Sequence, residues 1–266
     1  MTRGPVGRLK NFTITGIDFS RLIIIIGLVL SLSFIFKPVS SSELGADEIV
    51  AKADAIRFPQ EGFQVVINVT STDADGSDAE KRVYQVLSKS NDRTVVLTRE
   101  PPSERGQMLL MRDRDLWVFL PNISQPVRLP LSQRLTGQVA NGDLARANFK
   151  GDYSAELINE EDCGDNICHV LELEAARKGV TYSNVKYWVR KDNLRPHRAE
   201  FYSKSGKLLK SAVYSEFKKL GGSIRPTRLT LEDALKGGTS IMDYTNMKKR
   251  ELADKIFTKQ YLQKLN

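Results

Sequence analysis

Histidine and cysteine are nearly missing from this chain, with two of each among 266 residues. A zinc site needs three or four ligands at suitable spacing, and two cysteines with a sequence-distant histidine give no such motif. His169 falls in a strand pattern beside Cys168 and His197 in "LRPHRAEFY", so neither joins a catalytic constellation. Also absent are the serine elbow G-x-S-x-G, the P-loop, a G-x-G-x-x-G after a strand and H-E-x-x-H. Carboxylates are plentiful but scattered through strands and turns, so no acid–base pair stands out. No catalytic residue, metal or cofactor is expected, and the residues alone favour a binding module over an enzyme.

Charge of one sign is in short supply as well. The formal charge is +8, but residues 1–42 hold Arg3, Arg8, Lys10, Arg21 and Lys37 against the single acid Asp18, which leaves a scattered +4 for the rest. Runs such as "MKKRE" and "EFKKL" read as solvated faces, and no nucleic-acid partner is indicated.

There is one long apolar run. "RLIIIIGLVLSLSFIFKPVSSS" places Leu22–Phe36 after a basic segment and before small residues, the three-part layout of a secretory signal. Its 15 residues fall short of the roughly 20 that cross a bilayer comfortably. Residues 1–42 are expected to be a cleaved signal peptide, with a retained membrane anchor through residues 22–36 as the alternative. The chain is therefore expected in the periplasm, and residues 43–266 form a single domain.

Past residue 46 one helix precedes many strands. "DEIVAKADAIR" puts Ile49, Val50, Ala53 and Ile56 on one stripe, with Asp47 as a candidate N-cap. The period then drops to two: "GFQVVINVT" sets Phe63, Val65, Ile67 and Val69 against polar neighbours, and "KRVYQVLSK" and "RTVVLTR" follow suit. Turn signals such as "DADGS", "SKSND", "SKSGK" and "KGGTS" recur without intervening helical patterns, which argues an antiparallel meander of roughly a dozen strands. The class is mainly β with short helices (α+β).

"QRLTGQVANGDLARANFKG" (133–151) interrupts the meander. Its Leu135, Val139, Leu144 and Phe149 suit short helices or an ordered loop folded as a lid over one sheet face, with plain core filling as the competing reading. The sheet itself has two apolar faces. In "GQMLLMRDRDLWVFLP", Met108 and Leu110 oppose Leu109 and Met111, while Trp117 and Phe119 oppose Leu116, Val118 and Leu120. Taking the aromatic-bearing face as concave assigns Met108, Leu110, Trp117 and Phe119 to a cavity wall; a register error of one residue reverses that choice.

The two cysteines flank "GDNI", where Gly164, Asp165 and Asn166 are turn formers. Neighbours across such a turn can meet the Cα separation of about 4.4–6.8 Å that a disulfide needs. In an exported chain the expected state is a Cys163–Cys168 bridge, against free thiols or metal ligation.

The runs "GQMLLMRDRDLWVFLPNISQPVRLPLSQRLTGQ", "DYSAELINEEDCGDNICHVLELEA", "VTYSNVKYWVRKDNLRPHRAEFYSKSGKLLKSAVYSEFKKLGGSIRPTRLTLED" and "IFTKQYLQKLN" together resemble the outer membrane lipoprotein-sorting protein family, related to the lipoprotein carrier LolA. The resemblance spans roughly residues 47–266. It implies a curved, incomplete antiparallel barrel with short helices over a hydrophobic cavity, a LolA-like half-barrel with a helical lid. It further implies acyl chains of a lipid or lipoprotein as cargo, a monomer, and association with an inner-membrane exporter of the RND type. No single residue transfers from the family as a lipid ligand. Two other readings stay open: an accessory or sensor subunit of a transporter or stress-signalling system, and an envelope lipid- or polymer-modifying enzyme.

Overall fold

The computed structural model describes residues 1, 2, 4, 44–77, 79–90, 92–146 and 148–265. The apolar stretch 22–36, and with it the choice between signal and anchor, lies outside the described residues. No described helix is long and apolar enough to cross a membrane. The chain divides into Met1–Glu43 and Leu44–Asn266, and every element named below belongs to the second unit.

Helix α1 (Ala46–Arg57) buries Ile49, Val50 and Ala53 as the apolar stripe requires, with Asp54 and Arg57 on the same face. Its N-cap is Gly45 rather than Asp47. Asp47 is engaged elsewhere: its Oδ1 accepts the backbone N–H of Ala155 at 3.1 Å, on the first strand after the cover segment.

Alternating apolar positions then generate β1 (Phe63–Thr72), β2 (Glu80–Lys89), β3 (Arg93–Glu100), β4 (Met108–Arg112), β5 (Asp115–Phe119) and β6 (Val127–Leu129). After the interruption come β9 (Tyr153–Asp162), β10 (Ile167–Ala175), β11 (Asn184–Arg190), β12 (Pro196–Tyr202), β13 (Leu208–Leu220), β14 (Ser223–Asp233) and β15 (Thr239–Lys249). These thirteen strands form one antiparallel sheet in the order β6-β5-β4-β3-β2-β1-β15-β14-β13-β12-β11-β10-β9. The first strand pairs with the last, Val69 opposite Met242, so two meanders join into one curved sheet that stays open at β6 and β9.

One face of this sheet carries the main core from end to end, through Val65, Tyr84, Leu109, Leu173, Tyr187, Leu231 and Met242. α1 packs on this face over β9, β12 and β14. The opposite face is covered only locally. Residues 250–265, with a 3-10 turn at Asp254–Phe257 and helix α3 (Lys259–Gln263), close over β3, β4 and β5. Leu252, Phe257 and Leu262 are the buried anchors of this C-terminal strap.

The interruption is only partly helical. Residues 133–145 form a small hairpin, β7 (Arg134–Thr136) and β8 (Val139–Ala140), followed by the single helical turn α2 (Asn141–Ala145). The hairpin turn is fastened to the sheet by the Gln138 N–H, which donates to Ser240 Oγ at 2.8 Å. Gly137 adopts φ +47° at the hairpin turn, where a Cβ would lie 2.1 Å from Ser71 Oγ and 2.4 Å from Ser240 Oγ. A side chain there would keep the hairpin off the sheet.

Candidate functional site

The face that α1 and the 133–149 segment cover is the inner one, and it carries the other half of each alternating strand from the four residues expected to line a cavity. Met108, Leu110 and Phe119 are buried beneath the C-terminal strap among Val95, Phe257 and Leu262, and the half-buried Trp117 packs against them. Leu109, Met111, Leu116 and Val118 face the main core instead. The expectation of an aromatic-bearing concave face is therefore corrected by one residue of register. The physical reason is that the strap supplies its own apolar anchors, and Lys259 sets its ammonium 3.9 Å from the centroid of the Trp117 ring. Nothing in the alternation of β4 and β5 distinguishes a face covered by a strap from one that lines an interior.

The four residues expected in a lid lie on the inner face, in positions that suit plain core filling as well as a lid. Val139, Leu144 and Phe149 are buried in the main cluster, and Leu135 packs against it. α2 contacts β2, β3 and β4, the half of the sheet that α1 leaves free. Its start is hung on the turn before β7: Leu131 O accepts the Gly142 N–H at 2.9 Å and Gln133 O the Asn141 N–H at 2.9 Å. Gly142 is required by contact rather than by backbone angle, since a Cβ there would fall 1.9 Å from Thr181 Oγ1.

Where α1 and the cover segment meet, the interior is polar. Asp54, 1% exposed, accepts the backbone N–H groups of Phe149 and Lys150 on Oδ2 at 2.8 Å each, and Arg57 Nη1 at 3.2 Å on Oδ1. The Arg57 guanidinium lies 4.9 Å from the Phe149 ring centroid and 5.1 Å from that of Tyr214, so rings take the place of water around it. A second pair lies alongside. Lys210 Nζ donates to Asp143 Oδ2 at 2.5 Å and to Gln138 O at 2.8 Å, and Tyr182 Oη donates to Asp143 Oδ1 at 2.8 Å. Arg146 is fastened to Asp152 and to the carbonyl of Asp113. Arg225 caps the end of α1, donating to the carbonyls of Ala55 and Ile56 at 2.8 and 2.9 Å.

Burial governs the protonation of these groups. It pushes the Asp54 carboxyl above the ordinary carboxylate range despite Arg57 and two backbone donors, and pulls Lys210 below the usual ammonium value despite Asp143. It raises Tyr182, Tyr187, Tyr214 and Tyr244, which keeps the phenols neutral. The network fastens α1, β13 and the 133–150 segment to one another. Among the described residues no three His, Cys, Asp or Glu side chains cluster as a metal site.

Two cavities flank the cover segment, one reaching Arg57, Tyr182 and Phe201, the other Phe63, Ile67 and Val86, and Asp143 and Asn148 border both. Each holds about 30 Å³, the room of one water molecule. Drug-sized ligands occupy about 300–1,000 Å³. In this conformation Leu144, Phe149 and the α1 stripe pack on the inner face.

The polar fasteners escaped sequence reasoning, although the spacing carried a signal. Val50, Asp54 and Arg57 follow i, i+4, i+7 on α1, and Lys210 alternates with Ala212 and Tyr214 on β13, so each charge sat within a buried stripe. The cysteine pair behaves as expected. Cys163 and Cys168 form a disulfide with Cα atoms 5.9 Å apart, buried with Val170 and Trp188 at the β9–β10 turn.

A family model described as that of an uncharacterized protein matches residues 90–264. No curated protein matches the chain. Among solved structures, a LolA superfamily protein from Nitrosomonas europaea is 53% identical, with a TM-score of 0.79 over 82% of this chain and 100% of that one. A domain from Vibrio parahaemolyticus assigned to outer membrane lipoprotein sorting shares the fold at 19% identity, with a TM-score of 0.71 over 82% of this chain and 98% of its own. A DUF1329 family protein from Desulfovibrio piger does so at 23% identity, with a TM-score of 0.69 over 81% and 97%.

Proposed function

The chain belongs to the LolA superfamily, and on that premise we propose that it is an exported, non-enzymatic carrier that takes acyl chains of a lipid or lipoprotein onto the inner face of its open sheet. The observation that carries this reading is the pairing of a continuous apolar inner face with a cover that fills it. The cover is attached by a few identifiable bonds: Asp54 to Phe149 and Lys150, Lys210 to Asp143, and Arg146 to Asp152 and Asp113. Cargo replaces Leu144 and Phe149 rather than entering an empty hole.

The energetics suit a carrier. An acyl chain that leaves a membrane for an apolar protein interior exchanges little free energy per methylene, because both surroundings are apolar. Loading then depends on what it costs to lift the cover, and release on what it returns when it closes, so small biases from a donor or acceptor set the direction. Delivery between envelope membranes, with a periplasmic location, a processed or anchoring N-terminus at residues 1–42, an RND-type exporter as inner-membrane partner and a monomeric state, completes the proposal.

Native mass spectrometry of protein isolated from the bacterial envelope tests it. Acyl-bearing molecules that leave with the protein and are released by denaturation support the reading. Protein that emerges empty, and that also fails to take up an uncharged apolar fluorophore in solution, overturns it.

A further inference from the structure

The sheet stays open at β6 and β9, and a groove of about 370 Å³ lies between β6 and the β10–β11 loop. Its walls come from both ends of the open sheet: Arg128 and Leu129 of β6, Arg114 of the β4–β5 hairpin, and Gly179 and Val180 of the loop after β10. Its floor is Pro130 and Leu131. Leu131 is 3% exposed and a member of the main core, and Leu129 packs against that same core. The floor of the groove is thus formed by residues that belong to, or pack against, the main apolar core.

Its charge is one-sided. Arg114 lines the groove, Arg112 lies on the same hairpin, and Arg177 and Lys178 directly precede Gly179 in the loop; none of the four makes an ion pair among the described residues. Arg128 has Asp115 as its partner, but the two side chains are 71% and 41% exposed, and such pairs hold little in water. Asp113 and Asp115 are the nearest acids in sequence on the hairpin. Beside Arg128, Ile123 and Val127 are each 49% exposed. Arginines interleaved with solvent-facing aliphatic side chains suit the plane where head groups meet acyl chains.

We propose that this groove is a lateral loading port for anionic glycerophospholipid, in which Arg114 and Arg128 hold the phosphate of a lipid at a bilayer surface while its first methylenes lie over Leu129, Pro130, Leu131 and Val180. This rests on the carrier reading and names its substrate class and point of entry. The guanidinium fork matches phosphate oxygens two at a time, and the apolar floor gives no purchase to inorganic phosphate. The port also touches the cover. Pro130 O and Leu131 O accept Asn141 Nδ2 at 3.1 Å and Gly142 N–H at 2.9 Å, and Arg146 donates to Asp113 O on the hairpin that carries Arg114. A lipid wedged into the groove works against the bonds that hold α2 in place.

The test uses the full chain and vesicles of phosphatidylcholine with or without phosphatidylglycerol. Binding by flotation and transfer of a labelled phosphatidylglycerol are compared for wild type and Arg114→Glu/Arg128→Glu, with melting temperature as the check on folding. Residues 1–43 are common to both proteins, so any vesicle binding through them cancels in the comparison. The wild type is expected to prefer anionic vesicles, and the double variant to lose that preference and transfer the lipid on the order of tenfold or more slowly. Arg177→Gln/Lys178→Gln, in the loop that brings Gly179 and Val180 to the groove, is expected to weaken the same preference and serves if the first variant misfolds. A wild type indifferent to phosphatidylglycerol, or variants that keep its preference, overturns the port. Uptake of uncharged N-phenylnaphthylamine by the wild type reads the carrier proposal separately, so a failed port and a failed carrier give different results.

Discussion

Asp54 accepts the backbone N–H of Phe149 at 2.8 Å across 95 residues of sequence, from a site where it is 1% exposed. The helix over one half of the inner face and the segment over the other half are therefore one fastened cover. The same carboxylate neutralises Arg57, so its removal strands a buried guanidinium and two backbone donors at once.

Asp54→Ala is expected to destabilise the fold by about 3–5 kcal/mol, the usual cost of breaking a buried ion pair by removing one partner. Removing both charges in Asp54→Asn/Arg57→Met is expected to recover part of that loss, since no unpaired charge stays behind. Urea titrations of Asp54→Ala, Asp54→Asn, Arg57→Met and the double variant measure both. A double variant less stable than the sum of Asp54→Asn and Arg57→Met contradicts the assignment.

Stability should also carry a pH signature of this site. Because burial raises the Asp54 pKa, the folded chain keeps a proton that the unfolded chain has already released. Stability from this group is full below the unfolded value of about 4 and is lost as pH rises through the folded value. Lys210 acts in the opposite sense: its lowered pKa means stability gained as pH rises from the folded value toward about 10.4. Subtracting Asp54→Asn from wild type at each pH cancels the other carboxylates. The difference should fall from about pH 4 upward, and a flat difference removes Asp54 from the account.

The C-terminal strap gives the complementary prediction. Phe257, 1% exposed over Met108, Leu110 and Phe119, should cost about 3–5 kcal/mol as Phe257→Ala. Trp117 fluorescence should shift to the red as the strap loosens. Uptake of an apolar probe should stay at the wild-type level, because the strap lies on the outer face. A parallel loss of uptake would return Met108, Leu110, Trp117 and Phe119 to the cavity wall.

How far the sequence could be read follows from these same residues. Period-two alternation in Phe63–Val69, and the turn formers between Cys163 and Cys168, report local geometry, and local geometry is what pattern encodes. The choice of inner face on β4 and β5 depended on where residues 250–265 fold back, a long-range fact that alternation does not carry. Residues 133–140 hold β-branched Thr136 and Val139 around Gly137, and contact with Ser71 and Ser240 draws them into a hairpin where the pattern suits short helices or an ordered loop. Asp54 and Arg57 were visible as charges in a buried stripe, but their partners Phe149 and Lys150 contribute backbone, which has no signature in side-chain pattern.

Gly142 offers the sharpest handle on the cover itself. It sits at the start of α2, where a methyl group would lie 1.9 Å from Thr181 Oγ1 and 2.8 Å from Thr181 Cγ2. Gly142→Ala must therefore lift α2 or push the β10–β11 loop away, at a cost of about 1–3 kcal/mol for overpacking. If the cover gates the interior, the lifted state admits an apolar probe faster, and trypsin cuts sooner after Arg146, whose bonds to Asp152 and Asp113 hold only with α2 seated. Thr181→Gly removes the atoms in conflict, so Gly142→Ala/Thr181→Gly should return stability, probe entry and cleavage toward wild type. Stopped-flow fluorescence and timed proteolysis read the two kinetic effects. A Gly142→Ala protein that loses stability but admits the probe no faster would mean that α2 is core and not a gate.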